Sequence, residues 1–155
     1  MIVLGVDPGS HATGFGVIST GPVLRFIEGG VIRTDSKNDL ADRLNTIYNQ
    51  LSDVFSRHDI QAMAVEDLFN AKNARSSLIL GHARGVILLT GAQAGLEVAS
   101  YAPREVKMAL TGNGNATKEQ VRFMVMRLLG IKKEPPIDMS DALAVALAHQ
   151  HRRIR

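Results

Sequence analysis

A chain of 155 residues, 45% hydrophobic and 21% charged, has enough apolar material for one packed domain (1–155) and is neither disordered nor fibrous. It has no cysteine, which excludes a disulfide framework and a thiolate zinc centre and fits a reducing cytoplasm. The net charge of +3 permits a nucleic-acid partner without demanding one; no apolar run is long enough to span a membrane, and the opening run is too short for a signal peptide.

Ile2–Asp7 reads as a buried strand that ends on an acid and turns at Pro8-Gly9. Asp before Pro-Gly suits a plain turn, because its side chain can bond its own backbone; it equally suits a carboxylate held at the lip of a site. Residues 14–19 and 23–33, joined through Gly21-Pro22, read as two further strands, and connections this short predict an antiparallel meander. Ser36-x-x-Asp39 reads as a capping box for a helix in which Leu40, Leu44, Ile47, Tyr48, Leu51, Val54 and Phe55 fall at helical spacing. Ala62–Glu66 is a short apolar strand that again ends on an acid.

Residues 71–94 read as a long helix rich in small side chains. Gly81 and Gly85, one turn apart, leave room for the sheet or for a second subunit. Residues 98–101 form a fifth strand. Pro103 starts a short helix containing Lys107, and residues 111–115 (TGNGN) must be a loop. Thr117-x-x-Gln120 caps the next helix, which stops near Gly130. The last helix runs from Asp138 to about His149 and is apolar on every side, hence buried. Residues from about 150, with Arg152, Arg153 and Arg155, read as a solvated tail. The order is β-β-β-α-β-α-β-α-α, with the short Pro103 helix uncounted. It predicts an α/β fold: a five-stranded mixed sheet, strands 1–3 antiparallel, then parallel strands 4 and 5, between helices.

Asp7 and Glu66 end two strands that would be parallel neighbours, at the edge where open α/β sheets bind ligands. Asp138 and Asp141, at i and i+3, share a helix face. If that helix crosses the same edge, four carboxylates converge, and one or more must keep a proton unless cations neutralise them. Oxygen donors without Cys or paired His suit Mg²⁺, with Mn²⁺ able to substitute, and two ions about 3.5–4 Å apart would serve attack on a phosphodiester. Taken singly, each acid has a plainer reading: Asp138 as an N-cap, Asp141 as a first-turn acid, Glu66 beside Asp67 as a solvated pair. Basic residues are grouped. Lys72, Arg75 and Arg84 share one segment, and Lys107 and Lys118 flank the Gly/Asn loop, whose N–H groups could meet phosphates. Phe69 fits either a staple for the following helix or a ring that stacks on a base. His149 and His151 lie where the helix dipole favours a cation.

Four segments, GVDPGSHATGFGV, VEDLFNAKNARSSLILGHARG, YAPREVKMALTGNGNATKEQV and DMSDALAVALAHQH, together resemble the RuvC-type Holliday-junction resolvases, over nearly the whole chain. The resemblance implies an RNase H-like fold with Asp7, Glu66, Asp138 and Asp141 as the catalytic, metal-holding acids. Phe69 matches the aromatic that wedges among bases near the crossover, and Lys107 and Lys118 match basic residues beside the scissile phosphate. Lys72 and Arg75 are further candidates for DNA contact, less fixed by the motif. It also implies a cytoplasmic homodimer that makes paired symmetric nicks in a four-way DNA junction, leaving 5′-phosphates and 3′-hydroxyls in recombination and repair, alongside the RuvAB branch-migration motor. Three alternatives stay open on the residues: an RNase H-like enzyme acting on structured RNA, a sugar-kinase-like phosphotransferase, and a junction-binding module without chemistry. Cleavage of RNA but not junctions, ATP binding, or metal-independent binding without nicks would mark each in turn.

Overall fold

The computed structural model describes residues 1–67 and 73–153. Its centre is β1 (Ile2–Asp7), which pairs antiparallel with β2 (Ala12–Ser19) and parallel with β4 (Ala62–Glu66). β3 (Arg25–Arg33) lies outside β2 and β5 (Glu97–Tyr101) outside β4, giving the order β3-β2-β1-β4-β5. The antiparallel meander and the parallel strands 4 and 5 are as the turn and crossover lengths predict.

Alternation along the strands builds a core on each face. Leu4, Val6, Val17, Met63 and Val65 point to one side and pack with Ile47, Leu51 and Val54 of α1 (Leu40–Arg57) and Ala83 and Ile87 of α2 (Ala74–Gln93). Val3, Ile18, Ala64 and Tyr101 point to the other and pack with α3 (Pro103–Thr111), α4 (Lys118–Leu129) and α5 (Ile137–Arg153). Helix α5 is buried almost all round, as its composition predicts, and lies very close to the sheet. A Cβ on Gly5 would stand 2.0 Å from the Ala142 carbonyl oxygen, and one on Gly14 would stand 1.8 Å from that of Asp138. Glycine at those two strand positions is what lets α5 cross there.

Several local expectations are corrected. α1 begins at Leu40 behind Asp39, which makes no side-chain cap bond. The Asp35 carboxylate instead accepts from Lys37 N at 2.9 Å, closing a turn in place of the Ser36 capping box. The Thr117 box does form: Thr117 Oγ1 accepts from Gln120 N at 3.2 Å and Gln120 Oε1 from Thr117 N at 2.9 Å. Gly81 and Gly85 leave open space around a Cβ, so neither receives the sheet. Helix α5 continues through Arg153, where a frayed, solvated tail was expected from about residue 150; residues 151–153 are helical but solvent-exposed, as expected. Arg152 lies over the Tyr101 ring, 5.7 Å from its centroid, and Arg153 reaches Glu97 at 3.3 Å. Arg155 lies outside the described residues.

Candidate active site

Two carboxylates leave the sheet side by side. Val6 and Val65 are parallel partners, so the next residues, Asp7 and Glu66, stand together at the strand ends. Both point to the α5 side. Asp7 pairs in register with Gly14, over which the Asp138 main chain passes, and Glu66 pairs with Tyr101. The first turns of α5 therefore cover the end of β1 and bring Asp141 to the same place. From α4, the Lys118 ammonium donates to Asp141 Oδ2 at 2.8 Å. A cavity of about 200 Å³ opens here, lined by Glu66, Lys107, Lys118 and Asp141 over an apolar floor that includes Val106 and Val121.

The charges are tightly interdependent. Burial, the neighbouring Glu66 charge, a side-chain hydrogen bond with Glu66 and the Asp141 charge push the Asp7 carboxyl up to about 9 from an ordinary 3.8. Glu66 is also raised, chiefly by burial, although the bond from Asp7 and the Lys118 and Lys107 charges pull the other way. The bond between them raises Asp7 and lowers Glu66, so Asp7 is its donor, and burial holds both carboxyls above their ordinary range. The bond to Asp141 raises the Lys118 ammonium. Asp141, expected as a partner of the sheet acids, is close enough to act on both. Asp138 reaches the strand end through its main chain, one helical turn away. Among the described residues, no three His, Cys, Asp or Glu side chains are already gathered as an ion-holding group. The donor set nonetheless fits hard divalent cations: carboxylate oxygens from three elements, one displaceable proton, and a lysine supplying positive charge.

Other expectations divide. Lys107, a candidate for DNA contact, lines the acid cavity. Arg75, another such candidate, lies in a separate hollow between the starts of α1 and α2, with Lys37, Arg43 and His82. Phe69 and Lys72 lie outside the described residues. The Gly/Asn loop does not turn all its N–H groups outward: those of Gly112 and Asn113 donate back to Met108 and Thr111 of α3, and those of Asn115 and Ala116 donate to Asn113. His149 is no dipole partner in solvent. It is 2% exposed, its Nδ1 lies 2.8 Å from the Tyr101 hydroxyl, and burial lowers its pKa. Sequence reasoning gave Arg43 no role, although it falls on the apolar stripe of α1, one turn before Ile47; a charge on a buried stripe was the available signal.

An α/β sheet of this order, with acids at the ends of its two central parallel strands and a buried helix laid across them, defines the RNase H-like class. The family model for the crossover junction endodeoxyribonuclease RuvC matches residues 3–149. Relatives of that name from Stutzerimonas stutzeri and Pseudomonas putida are each 45% identical over 153 residues, covering 98% of this chain and 87% of theirs. The fold superimposes with a TM-score of 0.93 on Thermus thermophilus RuvC in complex with Holliday junction substrate, at 36% identity, covering 99% of this chain and 94% of that one. It also superimposes with a TM-score of 0.71 on the yeast mitochondrial Holliday junction resolvase Ydc2, at 15% identity, a likeness of fold covering 98% and 78%. The chain belongs to the RuvC family of crossover junction endodeoxyribonucleases.

Proposed function

We propose that the protein resolves four-way DNA junctions by metal-dependent hydrolysis of one phosphodiester in each of two opposing strands, leaving 5′-phosphate and 3′-hydroxyl ends. The observation that carries this reading is the convergence of the Asp7 and Glu66 strand ends with Asp141 and Lys118 at one cavity. Asp7, Glu66, Asp138 and Asp141 are the ligands, with Mg²⁺ the expected ion and Mn²⁺ a substitute. Two ions held there supply Lewis acidity for the attacking water and charge neutralisation for the leaving 3′ oxygen. The chain's own residues do the rest. Asp7 would have to be ionised to hold a cation, so its raised pKa would couple metal uptake to proton release. Lys118 exchanges Asp141 for a phosphate oxygen, and Lys107 meets the same phosphate from α3. Glu66 and Asp7, fixed at strand ends, set the line along which water and phosphate meet. Phe69 stacks at the crossover, and Lys72 and Arg75 grip the arms.

A junction presents two equivalent strands, so a two-fold dimer supplies two equivalent sites. Leu78, Gly81, His82, Gly85 and Leu89 form an exposed stripe along α2, with Leu78 67% and Leu89 55% exposed. This stripe is the proposed dimer surface. Operation beside the RuvAB motor, in the cytoplasm, follows the family.

The test is one gel. End-labelled mobile junction, linear duplex and an RNA hairpin are each incubated with and without Mg²⁺ or Mn²⁺. Paired symmetric nicks in the junction alone are expected; cleavage of the hairpin alone would overturn the reading.

A further inference from the structure

Two arginines reach from the α1/α2 layer to the chain just beyond the two acidic strand ends. Arg43 of α1 is 7% exposed and has no ion pair among the described residues. Its guanidinium donates to the Ser10 carbonyl and, through Nε, to Thr34 Oγ1 at 3.4 Å; it also meets His11 Nδ1 at 3.5 Å. A buried guanidinium satisfied only by neutral acceptors is expensive. Packing of α1 against the sheet gives no reason for one, since Ile47, Leu51 and Val54 already fill that interface. What the guanidinium holds is the turn that follows Asp7. Thr34 grips the same turn from its other side, its N–H donating to the His11 carbonyl at 2.9 Å.

Arg84 of α2 does the corresponding thing at Glu66. Its Nη2 lies 3.1 Å from Asp67 Oδ1 and donates to Ser100 Oγ at 2.8 Å, while its Nε is buried with no bond. Asp67 directly follows Glu66, and its N–H donates to the Tyr101 carbonyl at 2.7 Å. Ser100 precedes Tyr101, the register partner of Glu66. The arginine therefore ties the ends of β4 and β5 together where the ladder stops.

We propose that Arg43 and Arg84 are positioning residues for catalysis: each, through the chain segment after one sheet acid, holds that carboxylate where it can share a cation with its neighbour. This rests on the reading of Asp7 and Glu66 as metal ligands. Strand ends fray where ladder hydrogen bonds stop, and a coordinating constellation tolerates only about 0.5 Å of displacement. Neither arginine touches the acid cavity, so neither contributes charge to the phosphate there.

The full-length chain is compared with Arg43→Met, Arg84→Met and the corresponding Lys variants. Three quantities are measured well below each melting point: the Mg²⁺ concentration that gives half of the metal-induced thermal stabilisation, junction binding in EDTA, and cleavage at saturating Mg²⁺. Loss of such supporting partners should raise the Mg²⁺ midpoint about tenfold and slow cleavage by about tenfold or more, with junction binding unchanged. A purely structural role would lower the melting temperature and leave the midpoint and the rate at wild-type values, which overturns the proposal. If a Met variant does not fold, its Lys counterpart decides in the same way, because a lysine can reach one acceptor but cannot span two: a raised midpoint supports the proposal and an unchanged one overturns it. Wild-type protein that is stabilised by Mg²⁺ yet cuts no junction would refute the proposed function, while the midpoints would still decide on the arginines.

Discussion

Asp7 and Glu66 stand side by side at the ends of two parallel strands, 59 residues apart in the chain, and burial together with the Glu66 charge pushes the Asp7 carboxyl up to about 9. The metal-free protein should therefore lose stability as pH rises. Between an unfolded pKa of 3.8 and a folded one of about 9, the folded state keeps a proton that the unfolded state releases, so unfolding becomes easier through this window and levels off above it. Asp7→Asn removes the Asp7 share of this dependence and leaves that of the buried Glu66. In EDTA at pH 8, it should be more stable than wild type by about 1 kcal/mol, roughly 2–4 °C in melting temperature. With Mg²⁺ the order should reverse, because the wild type gains metal-linked stability and the variant little. Melting curves at several pH values, with and without Mg²⁺, check both halves.

The Lys118–Asp141 pair makes a second, separable claim. On the proposed roles, Asp141→Asn should abolish junction cleavage while sparing junction binding, because a proposed ligand is lost and the lysines proposed to meet the phosphate remain. If Asp141 were only a first-turn acid, the variant would instead cut normally and lose ~0.3–1 kcal/mol of charge–dipole stabilisation. Lys118→Met should slow cleavage strongly but cost the metal-free fold little, of order 0.5 kcal/mol, since the ammonium is largely exposed. Band-shift and cleavage assays on the two variants separate ligand from counter-charge.

Much of this site could be read from the chain alone because strand periodicity and strand-end acids are local signals. Ile2–Asp7 and Ala62–Glu66 have the boundaries expected of them, and Asp138 and Asp141 sit on one face because helix geometry requires it. What escaped was set by partners distant in sequence. His149 looks like a terminal cation until Tyr101, 48 residues earlier, comes into contact. Besides Thr34, nine residues back, Arg43 finds its partners 32 and 33 residues back, in the turn after Asp7. Ser36 lost its capping role to competition from Asp35, one residue away, and local rules rank such rivals poorly.

The close passage of α5 over β2 gives a steric prediction. Gly14→Ala would place a methyl group 1.8 Å from the Asp138 carbonyl oxygen, which is backbone and cannot swing aside. The start of α5 must lift, at a cost of about 1–3 kcal/mol, and it carries Asp138 and Asp141 with it. Cleavage should fall much further than the loss of stability explains. Activity measured well below the variant's melting temperature tests this; wild-type turnover there would show that α5 is not fixed by that contact.

The exposed stripe of α2 should govern assembly. Leu78→Glu and Leu89→Glu remove apolar surface without touching either core, since both side chains are solvent-facing. The wild type should sediment as a dimer, and the double variant should stay folded and sediment as a monomer at the same concentration. It should also lose the concerted nicking of two strands while still cutting one slowly. A double variant that remains dimeric would move the interface off this helix.

The buried Tyr101–His149 pair does not line the cavity, although Tyr101 is the register partner of Glu66, and it should matter chiefly for stability. His149 Nε2 already lacks a partner, and Nδ1 depends on the Tyr101 hydroxyl. Tyr101→Phe leaves both ring nitrogens without a protein partner in a buried site, at a cost of about 1–3 kcal/mol. His149→Leu in that background removes the stranded groups and should restore most of the loss. The same burial fixes the sign of an acid dependence. With its folded pKa lowered, His149 stays neutral where the unfolded chain protonates, so its contribution is full above about pH 6.5 and is lost as pH falls below it. Denaturation curves for the wild type, the single variant and the double variant at pH 5 and pH 8 should show the double variant recovering more at pH 5. Equal recovery at both values would mean that the imidazole is not held neutral, and the hydrogen bond would then have to run from a charged ring to the tyrosine oxygen.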